Sequence, residues 1–102
     1  MGYEDSLIEI RETAEYWAWF ARLRDHRARF RIEVRIDRLR LGNPGDVVAV
    51  GDGIRELRIH DGPGYRVYFV QRGREVVLLL AGGDKSTQAK DIAMARALAR
   101  IY

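Results

Sequence analysis

Apolar and polar residues alternate through "SLIEIR" (residues 6–11), which predicts a short first strand. The period then changes. In "TAEYWAWFARLRD" (13–25), Tyr16, Trp19, Phe20 and Leu23 fall at i, i+3, i+4 and i+7, a single apolar stripe of a helix. Trp17 lies off that stripe, where a partner can reach it. The segment "RARFRIEVRIDRLRLGNPGD" (27–46) carries two patterns at once. Phe30, Ile32, Val34 and Ile36 alternate like a strand, while Ala28, Ile32, Ile36 and Leu39 make a helical face. Length favours the helix, and so does its end: Gly42 can cap the last turn and Pro44 stops continuation. Two antiparallel helices joined at Asp25–His26 are therefore expected.

From residue 46 the period is two. "DVVAV", "IRELRIH", "YRVYFVQ" and "EVVLLLA" read as strands, separated by the hairpin breakers "GDG", "DGPG" and "RGR". A last helix is expected from about Thr87 to Arg100, with Ile92, Ala95 and Ala99 on one face and Met94, Leu98 and Ile101 on an adjacent one. The fold class is α+β: an N-terminal strand and helical hairpin packed on an antiparallel four-strand meander, with a C-terminal helix. At 102 residues the chain has room for one core, so one domain over 1–102 is expected.

Composition narrows the partners. A hydrophobic fraction of 47% argues for a folded chain. There is no cysteine, hence no disulfide framework and no thiolate metal site, and no metal or cofactor is expected. No apolar run approaches the roughly 20 residues that span a membrane. The opening "MGYEDSLIEI" has no basic region of a signal peptide, so a cytoplasmic protein is expected. The same residues match the loose myristoylation pattern Met-Gly-x-x-x-Ser, a pattern short enough to arise by chance. Net charge is only +3, but all 18 basic residues except Lys85 and Lys90 are arginine. Eight of these arginines crowd positions 22–40, with Glu33 and Asp37 among the last of them. Arginine forks suit phosphate and stack on bases, so this segment points to nucleic acid, with Arg31, Arg35 and Arg38 as docking residues.

"VVLLLAGGDKSTQAKDIAMA" (76–95) looks at first like a phosphate-binding loop. A Walker A loop needs G-x-x-x-x-G-K-[ST] so that backbone N–H groups can wrap the phosphates. Here Asp84 precedes Lys85, and Leu79 stands where the first glycine belongs. An acid in the cradle repels the ligand. A glycine-rich strand-to-helix turn is the better reading.

Strand alternation sorts the meander into two faces. Leu57, Ile59, Val67 and Phe69 should meet the helical layer, leaving Arg58, His60, Arg66 and Tyr68 on the other side. With Lys85 leaving the neighbouring strand, Arg58, His60, Arg66 and Lys85 form a candidate basic cluster on one concave surface. His26, in the helix–helix loop, reads as a surface residue.

The runs "LGNPGDVVAVGDGIRELRIHDGPGYRVYF" and "LLAGGDKSTQAKDIAMA" resemble the RelE/ParE superfamily of toxin–antitoxin toxins, closest to the HigB-like group called addiction module killer proteins. The resemblance covers nearly the whole chain. It implies an RNase that cuts mRNA in the ribosomal A site. It also implies a cognate antitoxin encoded beside it, usually a small helix-turn-helix protein. Carried over, the arginine of "GYR" is Arg66, which contacts the scissile phosphate in related toxins; Arg58 matches the basic residue of the preceding strand, and Lys85 the one before the last helix. The catalytic tyrosine of the RelE branch has no counterpart. Asp91 falls nearest its place, and Tyr102 is too far along.

RNA brings its own nucleophile, the 2′-OH, so cleavage needs alignment, charge neutralisation and two proton transfers. Arg58, Arg66 and Lys85 suit the second task; His60 and Asp91 are candidates for the third, although Asp91 could instead orient Lys85. Two other readings share the fold: a ParE-like gyrase poison, which needs no such basic cluster, and an inactive module that binds only RNA or antitoxin.

Overall fold

The computed structural model describes residues 7–102. The myristoylation pattern and Ser6 of the expected first strand lie outside the described residues. Chain order is β1 (Glu9–Glu12), α1 (Ala14–Arg22), α2 (His26–Arg40), β2 (Val47–Gly51), β3 (Ile54–Ile59), β4 (Tyr65–Arg72), β5 (Val76–Asp84), a 3-10 turn (Lys85–Thr87) and α3 (Gln88–Ile101). The α+β class and the meander stand as read. One sheet holds all five strands in the order β1-β5-β4-β3-β2. The first strand joins this sheet as an edge, parallel to β5, while every other pair is antiparallel.

Local chemistry sets the helix boundaries. Thr13 caps α1: its hydroxyl accepts from the Tyr16 amide at 2.9 Å. The same hydroxyl donates to the Leu80 carbonyl at 2.6 Å. That carbonyl is available because β5 bulges there; Tyr68 pairs with Ala81 and Phe69 with Leu79, so Leu80 has no opposite number. Asp25 caps α2, accepting from the amides of Arg27 and Ala28. The helical reading of 27–41 holds, and α2 ends where Gly42 takes a φ of +83°, two residues before Pro44.

The sheet is covered on both sides. On one, Leu57, Ile59, Val67, Phe69 and Leu79 pack against Tyr16, Phe20, Ile32 and Ile36 of the α1–α2 hairpin. On the other, Ile54, Tyr68, Leu78 and Leu80 pack against Ala95 and Leu98 of α3. This second layer corrects an expectation. The face bearing Arg58, Arg66 and Tyr68 is no open surface, because α3 lies across it: Tyr68 is fully buried and Arg66 is 4% exposed.

The Gly82–Gly83 pair is also not a turn. Both residues lie inside β5, opposite Val67 and Arg66 of β4. Each needs glycine for room. A Cβ on Gly82 would stand 2.2 Å from the Trp19 ring, and one on Gly83 would stand 1.7 Å from a carboxylate oxygen of Asp91. Asp84 then starts the 3-10 turn by accepting from the Ser86 amide at 2.8 Å. That bond and the Ser86 hydroxyl hold the Asp84 carboxyl below its ordinary range. The acid that spoils a phosphate cradle is a helix cap.

Candidate active site

The polar row begins with a cross-strand pair, Arg58 of β3 opposite Arg66 of β4. Like charges opposite each other repel unless an anion stands near. Glu56, two residues along β3 and on the same face, supplies it. Its side chain is completely buried. Arg58 Nε donates to it at 2.9 Å, the Tyr68 hydroxyl at 2.9 Å and Gln88 Nε2 of α3 at 2.7 Å. Burial pushes the Glu56 carboxyl up, but these three hydrogen bonds and the nearby Arg66 charge outweigh it, and the group sits below the usual carboxylate range. Burial and the Glu56 carboxylate together hold the Tyr68 phenol above its ordinary value.

Arg66 is placed differently from Arg58. Its Nε and Nη1 are enclosed, and neither has a hydrogen-bond partner among the described residues. Glu56 feels its charge, but both Glu56 oxygens are already bonded to other groups. Gly83 faces Arg66 across the ladder, and the carboxylate of Asp91 comes down over Gly83 from the first turn of α3. Asp91 is 8% exposed and accepts from the Thr87 hydroxyl at 2.5 Å. Lys85 is exposed at the end of β5, its alkyl stem beside Gly64 of the β3–β4 loop.

Arg58 and Arg66 therefore stand opposite each other, Asp91 comes down over the Gly83 that faces Arg66, and Lys85 is exposed at the end of β5. His60 is not in that group. It follows the end of β3, so alternation no longer governs it, and its Nε2 meets the Asp46 carboxylate. The His60 hydrogen bond holds Asp46 below its ordinary range, with help from the charges of Arg58 and Arg35. Arg58 thus stands between the buried network and the exposed His60–Asp46 pair.

Of the three arginines expected to dock RNA, Arg35 does something else. Its guanidinium donates to the carbonyls of Arg58, Pro44 and Asp46, fastening the loop after α2 to the end of β3. Arg31 is exposed and 3.4 Å from Asp61, and Arg38 is exposed. Glu56, Tyr68, Gln88 and Thr87 were missed as site residues. Strand alternation had put Tyr68 on the face of Arg58 and Arg66, and the same alternation puts Glu56 there. Among the described residues no cluster of three imidazole or carboxylate groups is arranged to hold a metal, and no described helix is long and apolar enough to cross a membrane.

The chain is 50% identical over 93 residues to an uncharacterized protein of Haemophilus influenzae, covering 91% of this chain and 94% of that one. Residues 18–101, which include the second half of α1, all of α2 and every strand and helix that builds the polar row, match the family described as phage derived protein Gp49-like (DUF891). The chain belongs to that Gp49-like family, a RelE-like toxin family of toxin–antitoxin systems.

Proposed function

We propose that this protein is the toxin of a type II toxin–antitoxin pair, of the HigB-like kind, and that it cuts mRNA on the ribosome. The observation that carries the reading is Arg66: a guanidinium almost wholly enclosed, with two nitrogens lacking a partner among the described residues, near a carboxylate whose two oxygens are bonded to other groups. Such a group is set to receive an anion, and a phosphate oxygen matches it in charge and geometry.

In the reaction the 2′-oxygen attacks phosphorus. The P–O2′ bond forms as the P–O5′ bond breaks, giving a 2′,3′-cyclic phosphate and a 5′-hydroxyl. Arg66 offsets the charge that grows on the phosphorane, and the exposed Lys85 at the end of β5 meets the flanking backbone. The 2′-OH must lose a proton and the 5′-oxygen must gain one. Asp91, held by Thr87, is the nearer candidate base. His60, oriented by Asp46, is a candidate acid, reached across Arg58. Glu56 keeps Arg58, Tyr68 and Gln88 in register without occupying Arg66.

The test is to map mRNA 5′ ends after brief induction. New ends inside translated reading frames, absent with Arg66→Ala, are expected. Growth arrest with intact transcripts and broken DNA would replace this reading with the gyrase one.

A further inference from the structure

A groove of about 460 Å³ runs along the outer side of α2, with Ile59, His60 and Asp61 at the end of β3 as its far wall. Arg27, Phe30, Val34 and Arg38 follow one another along it at spacings of three, four and four residues. That spacing keeps them on one stripe, with the two arginines at its ends and the two apolar residues between. Phe30 is 67% exposed, a large apolar surface for a helix whose core face is already satisfied by Ala28, Ile32, Ile36 and Leu39. Arg27 and Arg38 are exposed and make no ion pair among the described residues.

We propose that this groove takes an acidic amphipathic helix of the partner antitoxin. The inference rests on the toxin–antitoxin reading for who the partner is, and not on any nuclease activity. Arg27 and Arg38 are eleven residues apart, roughly 16 Å of helix axis. The partner helix should therefore present acid, apolar, apolar, acid on one face, in the same three-four-four spacing, over about three turns. Its carboxylates meet the arginines and its apolar side chains cover Phe30 and Val34. RNA fits less well. Arg35 is committed to backbone carbonyls and Arg31 lies against Asp61, which leaves Arg27 and Arg38, two separated charges that match two carboxylates better than a continuous phosphate backbone.

The test titrates the full chain into a labelled helical peptide built on Glu-x-x-Leu-x-x-x-Leu-x-x-x-Glu and reads fluorescence anisotropy at low and high salt. Two further probes run beside it: the same peptide with Lys for Glu, and a single-stranded oligouridylate. The Glu peptide should bind, the Lys peptide should not, and salt should weaken the binding. Phe30→Ala and Arg38→Glu, both at exposed positions, should each weaken it about tenfold or more, while Arg24→Glu, outside the groove, should leave it unchanged. Absence of binding by the Glu peptide would overturn the proposal, as would binding indifferent to Phe30→Ala and Arg38→Glu. Tighter binding of the oligouridylate with the same dependence on those residues would assign the groove to nucleic acid instead. Cleavage mapping is independent: intact transcripts alongside peptide binding would sink the nuclease and leave the groove standing.

Discussion

The two faces of the sheet are built from the same strands, but one is apolar throughout and the other mixes an apolar patch with buried charge. Under the α1–α2 hairpin, Leu57, Val67 and Phe69 are fully buried among other apolar side chains. Under α3, alternate residues of the same strands put Glu56, Arg66 and Tyr68 just as deep. An apolar layer gains stability from every contact it makes. A buried charge gains little, because desolvation consumes most of the attraction it finds. One face thus works for the fold throughout, and the other, beside its own apolar patch of Ile54, Leu78 and Leu80, keeps charged groups in fixed positions at some expense to it.

Substitutions can break that division, beginning with the largest. Phe69→Ala on the hairpin face should lower unfolding free energy by about 3–5 kcal/mol in urea titration. A loss near zero would mean that this face does not carry the fold. Arg66→Ala on the α3 face should cost about 10²–10³ in cleavage rate, some 2.7–4 kcal/mol of transition-state stabilisation. It should move the urea midpoint less than Phe69→Ala does. If it unfolds the chain while leaving the rate of the folded fraction intact, Arg66 is a structural residue and the comparison fails.

Glu56→Gln tests the charge at the centre of the polar row. The Glu56 carboxyl titrates lower in the folded chain than its ordinary value of 4.5. Its contribution to stability is therefore complete above that ordinary value and is lost as pH falls through the lower folded one. The urea midpoint of the unsubstituted chain should drop through this acid window, and that of Glu56→Gln should drop less. Equal slopes would show that the Glu56 charge is not coupled to folding. The smallest effect belongs to Thr87→Val, which removes the hydroxyl bonded to Asp91. A loss of about 1 kcal/mol is expected, with a change in the pH–rate profile if Asp91 is the base.

The elements were legible because each carries its own period. Even α2, with two patterns superposed, was settled by its length and by the Gly42 and Pro44 stop. What could not be read is what α3 does when it lands. Glu56 alternates with Leu57 and so reads as solvent-facing; its burial depends on Gln88, thirty-two residues later. The glycine pair reads as a turn because the reasons for it, Trp19 and Asp91, come from other elements. His60 was assigned by extending an alternation one residue past the end of its strand. Arg35 was assigned by composition, and no composition shows that three carbonyls lie within its reach. Strand parity placed Arg58 and Arg66 on one face, and the β3–β4 register sets them opposite each other; Asp91 was proposed from the family resemblance alone, and Lys85 from that resemblance and its place after the last strand.

The pairing of the first strand with the last has a consequence for how the molecule is made. Thr13 and its acceptor Leu80 are 67 residues apart, and the parallel β1–β5 register spans a similar separation. Contacts this distant close late, after the intervening loop entropy has been overcome. During synthesis at about 5–20 residues per second, β1 waits roughly 3–13 s for its neighbour to exist. Arg66, Lys85 and Asp91 all come from the last two-fifths of the chain. Neither the sheet nor the polar row can be complete on a partly made chain. Until residues 76–101 have been made, β1 has no neighbour in the sheet and Glu56 lacks its Gln88 donor.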